Sequence, residues 1–539
     1  MKSRPRGRGA ILAATFAASI RAFGGQDGPA VRESVSVRVM DVDVVVTDKA
    51  GRPVSNVPRE DFSILVDRKP VEIDYFAAFR AGDIRPPDAE TLSPDLVLKT
   101  ESRGRETAVP RHFLLYVDEA SIAPAHRRAA IEALRELIGR LNPSDEAAIV
   151  AERAAPTTIA DWTSRKEPLL AALETISRTS VAGLRRIERE RQALREMDLT
   201  GIADARESRA RLYEEETWEE TRKTLRDMTD ALALLGDKAG KKVFVDVSEG
   251  FELHPGAAML GAASSAPASA LSFRRDASDD LRRFIDRANA LEATVFALDV
   301  RGLLGPGRDA ANDAPLAAMS LAAREDREEG LVRLCEETGG EALLRSHDLA
   351  AAVDAVYRDV SFYYSLGVNL RNVSPETIHR VEVQVARPGL VVRARKTYAT
   401  VTEEERRESR ARATLLTGTS FADLVPTLRA GAPVKEHGVF LLPVEVEVAA
   451  RDLFFTAENG GETARPLYYF AAVSDRGEQT PLSRSTRAFT LPAAESQSVK
   501  PLVERVTLKL RKGTYRIVVN VVDPETGRMG TGRLTVRVE

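Results

Sequence analysis

Cysteine is almost missing from this 539-residue chain. Cys335 is the only one, so no intrachain disulfide can form and the fold must rest on packing. Net charge is nearly missing too: 78 basic against 81 acidic residues leave a balance of -3. A surface without a dominant sign has no global field to draw it to nucleic acid or anionic lipid. The apolar run Ala10 to Ile20 has 11 residues, short of the ~20 that cross a bilayer, so no stable transmembrane anchor is expected. Histidine is scarce, and the six present (112, 126, 254, 347, 379 and 437) show no metal-ligand spacing. His379, at the start of a strand, reads as a surface residue. Neither a G-x-S-x-G elbow nor a phosphate-cradling G-x-x-x-x-G-K-[ST] loop occurs, and GLLGPGRD at 302–309 carries a proline and opens no clear helix. With no nucleophile paired to a base, no enzymatic activity is expected.

What is present suits a folded protein of several domains, since the chain far exceeds the roughly 100–200 residues of one domain. Lys2, Arg4, Arg6 and Arg8 precede the apolar run, and Ala22-Phe23-Gly24 follows it. That is the layout of a signal peptide over residues 1–24, which predicts export to the periplasm, cell surface or medium. The setting of Cys335, LVRLCEETGG, has helical spacing and predicts a buried small side chain.

Period-two alternation in VSVRVMDVDVVVTD and FSILVDRKPVEIDYFAAF predicts an N-terminal β domain over 35–80. A proline-rich linker follows at 81–111. From His112 to about residue 365 strands alternate with helices: FLLYVD, EAAIVAE, KKVFVDVSEGF and ATVFALDVRG are the strands, which predicts a mostly parallel sheet covered on both faces. The stretch 183–236 interrupts this pattern. It is charged and helical, with Trp218, Leu225, Met228, Leu232 and Leu235 forming a narrow apolar seam. Two readings stand, a projecting arm that meets a partner or a helix packed on the sheet, with Gly201 as a turn. Residues 252–275 and 302–323 read as loops leaving strand ends, the rim where open α/β sheets bind ligands. A β extension is expected at 366–400 and a helical linker at 401–414, opened by the capping box Thr402 and Glu405. Regular strands over 415–539 predict a C-terminal β-sandwich.

The segment HFLLYVDEASIAP, residues 112–124, delivers the carboxylate of Asp118 to the end of an apolar strand. In Ser248-Glu249-Gly250 a second carboxylate follows the strand KKVFVDV. Asp118 reads equally as a cap that accepts backbone N–H bonds.

The chain resembles the von Willebrand factor A-like proteins that occur as exported proteins in Acidobacteria and related bacteria. The resemblance rests on DVVVTDKAGRPVSNVPREDFSILVD, FLLYVD, KKVFVDVSEGF, RANALEATVFALDVRG, LCEETGGEALLRSHDLAAAVDAVYRDVSFYYSLGV and HRVEVQVARPGLVVRARKTY, spanning most of residues 40–400. It implies a Rossmann-like, doubly wound α/β domain flanked by N-terminal and C-terminal β-sandwich-like domains. It also implies a metal-ion-dependent adhesion site, in which a D-x-S-x-S motif, a threonine and a later aspartate hold Mg²⁺ and leave one position for a partner's carboxylate. Asp118 matches the first carboxylate, whereas Ala120 and Ile122 stand where the two serines belong. Ser121 offers a hydroxyl out of register, Glu119 an extra carboxylate, Glu249 takes the aspartate position, and Thr179 is the candidate threonine. The site is therefore degenerate, admitting at most weak Mg²⁺ or another divalent cation. The expected function is non-enzymatic binding of a protein partner through the rim of the A-like domain. The alternative is a structural module that binds no metal and interacts through its helical insertion or its β-sandwich.

Overall fold

Near the N-terminus, the alternating pattern builds strands β1 (Val39–Thr47), β2 (Phe62–Val66), β3 (Lys69–Val71) and β4 (Tyr75–Arg80). The computed structural model describes residues 39–80, 110–152, 156–178, 183–199, 203–263, 275–302, 314–345, 348–370, 378–399, 402–417, 420–458, 461–475, 480 and 482–539. The expected leader at 1–24, nearly all of the linker, Gly201 and the loops at 264–274 and 303–313 lie outside the described residues.

The α/β domain follows. Its strands are β5 (Arg111–Asp118), β6 (Glu146–Glu152), β7 (Pro156–Thr163), β8 (Lys241–Ser248), β9 (Ala293–Asp299) and β10 (Ala342–Leu343). Its helices are α1 (Arg127–Arg140), α2 (Lys166–Arg178), α3 (Leu184–Leu199), α4 (Ala203–Leu232), α5 (Ala257–Ala263), α6 (Ser278–Ala290), α7 (Ala314–Glu337) and α8 (Leu349–Ser361). The sheet order is β10-β9-β8-β5-β6-β7, parallel throughout except for the antiparallel edge strand β7. In chain order this is 3-2-1-4-5-6, the doubly wound arrangement, and its switch point lies between β5 and β8. Every residue of β5 is buried, as a central strand covered on both faces requires. One face carries α1, α2 and α8; the other carries α4, α6 and α7, with Cys335 in that second core.

The structure decides between the two readings of the insertion and corrects two further expectations about this domain. The insertion is no projecting arm, because Leu225, Met228, Leu232 and Leu235 are spent in the core against Tyr116, Phe244 and Phe284. Trp218 sits at the margin, between the guanidinium groups of Arg222 and Arg275 at 5.0 and 5.5 Å. Arg111 does not belong to the linker: it is the first residue of β5, 1% exposed, and binds both carboxylate oxygens of Asp145 at 2.6 and 2.8 Å. Within the expected loop at 252–275, residues 257–263 form α5.

Strands β11 (Phe362–Asn369), β12 (His379–Val385), β13 (Val391–Ala394) and β14 (Thr397–Tyr398) return to the N-terminal strands. The sheets run β13-β1-β11-β4 and β14-β12-β2-β3. Residues 39–80 and the described strands of the extension expected at 366–400 therefore build one sandwich, with β11 starting at Phe362 rather than beyond residue 365. Neither segment alone buries its apolar face; together they enclose Met40, Val42, Ile64, Tyr364 and Leu366. His379 is also corrected here. It is 6% exposed and pairs through Nδ1 with Asp67 at 2.8 Å.

Helix α9 (Glu403–Thr417) opens on a reciprocal cap, with Glu405 N–H donating to Thr402 Oγ1 at 3.2 Å and Thr402 N–H to Glu405 Oε2 at 2.9 Å. Beyond it, three antiparallel sheets among the described residues enclose the C-terminal core around Val444, Tyr468, Ile517 and Val519. Among the described residues no helix is long and apolar enough to cross a membrane.

Candidate functional site

Parallel pairing of β5 with β8 places the turns after both strands side by side at the carboxyl rim. Asp118 ends β5 and its side chain turns back on its own backbone: Oδ1 accepts from Ala120 N at 3.1 Å and Ser121 N at 3.0 Å. This is an Asx-type turn, and it lies several residues ahead of α1, whose N-cap is His126. Ser121 Oγ donates to the Asp118 carbonyl at 3.1 Å and accepts from Glu249 N at 3.1 Å, joining the two turns. The structure thus brings Asp118, Ser121 and Glu249 together. Glu119 is buried beside them and faces Arg127 at 3.4 Å. Thr179 lies outside the described residues.

Glu249 is fully engaged. Its Oε1 accepts from Ala123 N at 2.5 Å and pairs with His126 Nδ1 at 2.7 Å, and its Oε2 accepts from Arg186 Nη2 at 2.7 Å. Burial pushes this carboxyl up, but the His126 hydrogen bond, the Arg186 charge and the Ala123 amide outweigh it and hold the group below the usual carboxylate range. Asp118 behaves oppositely. Burial first, then the charges of Glu152 and Asp246, push its carboxyl well above the usual range, against the amide and hydroxyl of Ser121. Glu152 is its register partner on β6.

Below the rim, on the face covered by α4, further polar groups are buried. Lys223 Nζ reaches Glu152 Oε1 at 2.5 Å and also meets Asp227. Asp246 accepts from Ser248 Oγ at 2.7 Å and is pushed up to about 7 by burial, against that hydrogen bond. Tyr116 Oη, Glu152 Oε2, Asp246 Oδ1 and Thr217 Oγ1 have no hydrogen-bond partner among the described residues. Ordered water satisfies buried groups of this kind.

The fold type implies a divalent cation at the rim, and the residues present do not fit one. Ala120 and Ile122 carry no side-chain oxygen, and both Glu249 oxygens are taken by internal donors. Among the described residues no three His, Cys, Asp or Glu side chains are grouped so as to hold a metal ion.

The cavity beside Asp118, Ser121 and Arg186 measures about 30 Å³, room for a water molecule and not for an organic substrate. A larger cavity, about 210 Å³, lies at the opposite ends of the strands, between the α/β domain and the sandwich. Its charges are internally matched, Lys241 with Asp43 at 2.6 Å and Arg395 with Glu292 at 3.7 Å.

Arg186 and His126 were missed by motif reading. Arg186 sits in a run of arginines and glutamates, LRRIERERQALRE, where nothing distinguishes it from a solvated helix face. Only Gly183 hints at its role, because a Cβ there would lie 2.0 Å from the Ile122 carbonyl oxygen.

Comparison with known proteins finds no matching family model and no matching curated protein. Among solved structures, the chain is similar to an aerotolerance-related membrane protein from Bacteroides fragilis, with 12% identity over 46% of this chain and 98% of that one and a TM-score of 0.23. A von Willebrand factor type A protein from Catenulispora acidiphila matches at 11% identity over 80% of this chain and 67% of that one, TM-score 0.23. The pilus adhesin SpaC from Lactobacillus rhamnosus GG matches at 9% over 80% and 57%, TM-score 0.27. At such values nothing about ligand or activity follows from them.

Proposed function

We propose that this chain is a non-enzymatic protein-binding protein of the cell envelope or exterior, of the exported von Willebrand factor A-like type seen in Acidobacteria and related bacteria. It meets its partner through the rim of the α/β domain. One observation carries this reading: among the described residues the rim is a network of paired charges, and the cavity beside Asp118 and Arg186 is water-sized, which suits a contact surface better than a substrate pocket. Leu184, at the start of α3, is 44% exposed and offers an apolar anchor on that surface.

A second reading places the contact on the C-terminal sandwich, where Val425, Val434 and Val499 are 73%, 61% and 66% exposed. Capture from an envelope extract with the full chain separates the two. Under the rim reading Leu184→Glu loses the partner and Val425→Ser with Val499→Ser keeps it; the reverse supports the sandwich. EDTA should leave capture unchanged, and a partner lost on EDTA treatment would show that the rim acts through a metal after all.

A further inference from the structure

Arg186 reaches the rim from α3 and bridges its two turns through one nitrogen: Nη2 donates to Glu249 Oε2 at 2.7 Å and to the Ser121 carbonyl at 3.1 Å. Cross-linking the β5 and β8 turns is the work a bound cation would do. The approach is built in at Gly183, whose lack of a side chain lets the chain pass against the Ile122 carbonyl. Further pairs, Arg189 with Glu220 and Arg209 with Glu196, hold α3 against α4. Arg186 is only 13% exposed along its side chain, and its Nε has no hydrogen-bond partner among the described residues.

The groups that receive the guanidinium are acceptors: the carboxylate of Glu249 and the carbonyl of Ser121. A site of that polarity selects a planar, permanently charged cation with several N–H donors. We propose that the rim is a guanidinium-receiving site, filled in the resting chain by Arg186, with α3 latched across it as an internal ligand. The external ligand that suits it is an arginine-bearing segment of a partner protein. Recognition is then the inverse of the metal-mediated kind, in which the partner brings a carboxylate. Because the resident fork leaves Nε unused, an incoming arginine that engages both arms of its fork can compete with it. The external ligand rests on the rim reading of the partner contact, whereas the latch itself is read by amide exchange and methylguanidinium with no partner present.

The test removes the latch and restores its chemistry in trans. In the full chain carrying Arg186→Ala, amide hydrogen exchange across 184–199 should quicken by about ten- to a hundredfold, the factor that matches loss of a hydrogen bond to a charged group. Millimolar methylguanidinium should slow it again, whereas Mg²⁺ or Mn²⁺ should not. An arginine-containing peptide should bind Arg186→Ala more tightly than the unaltered chain. Glu249→Gln combined with Arg186→Ala should abolish the methylguanidinium response, which separates rescue at this site from a general solvent effect. Should Arg186→Ala not fold, Arg186→Lys retains the charge, and it should show the same quickening to a smaller degree. Unchanged exchange in both variants, or rescue by a divalent ion in preference to methylguanidinium, would overturn the proposal.

Discussion

At the scale of single residues, this protein places charge in its interior and pairs it closely. Arg111 and Asp145 are each 1% exposed along the side chain, and Ser361 and Tyr357 add bonds to the guanidinium at 2.9 Å. Burying two charges is costly, and what makes the pair tolerable is that almost every donor finds an acceptor. Asp145→Ala should destabilise the chain by about 3–5 kcal/mol in denaturant unfolding, because it leaves Arg111 buried and uncompensated. A loss below about 1 kcal/mol would mean that Arg111 swings out to water. The rim obeys the same rule. Glu249 keeps its charge because three donors surround it, whereas Asp118, facing Glu152 and Asp246, is biased toward its proton.

At the scale of elements, the helical insertion is part of the core. Its long helix α4 contributes Leu225, Met228, Ala231 and Leu232 to the cluster that also holds Tyr116, Phe244 and Leu334. Truncating Leu232 to alanine should cost about 2–5 kcal/mol, the range for a large core side chain, and should lower the unfolding midpoint of the α/β domain. If the insertion were an independent arm, that midpoint would not move. Helix α3 has a different standing. Its mean composition is polar, its inward residues are few, Ala193 and Met197 among them, and Arg186 is its tie to the rim. An element held by a few ion pairs and a small apolar patch is the kind that opens locally before the domain unfolds.

At the scale of the whole molecule, several carboxyls buried in the α/β domain are raised by desolvation: Asp246 and Asp230 to about 7, Asp227 and Asp359 to about 6. Their unfolded value is near 3.8, so between about pH 4 and 7 the unfolded chain has released protons that the folded chain retains. Stability contributed by these groups is present at low pH and falls as pH rises through that window. Asp67, Glu146, Glu249 and Glu328 are lowered and act in the opposite sense, losing stability as pH falls below the ordinary carboxylate range. Thermal unfolding should therefore be most resistant on the acid side of neutrality. Asp246→Asn should raise stability at pH 8 by something on the order of 2 kcal/mol and change little at pH 4.5. An equal effect at both pH values would show that Asp246 titrates normally.

Local pattern alone was enough for a mostly parallel sheet covered on both faces, most of its helices, the flanking β-rich regions, the cap at Thr402 and the burial of Cys335. Each of these follows from periodicity or from a few neighbouring residues, and such information is local in the chain. The doubly wound order came from the family resemblance. Asp118 was legible as a carboxylate at a strand end, Ser121 and Glu249 through the motif that the family resemblance implies, and the pairing of β5 with β8 brings the three to one rim. Tertiary structure decided everything that depends on distant segments meeting. It joined residues 39–80 to 362–398 in a single sandwich, since strand pairing is chosen by complementary faces far apart in sequence. It decided between the two readings of the insertion in favour of the packed helix, because an apolar seam does not announce what it will pack against. Above all it placed Arg186 on Glu249, giving the rim a cation from within the chain, because one arginine among many becomes a ligand only when the fold brings its guanidinium to a carboxylate.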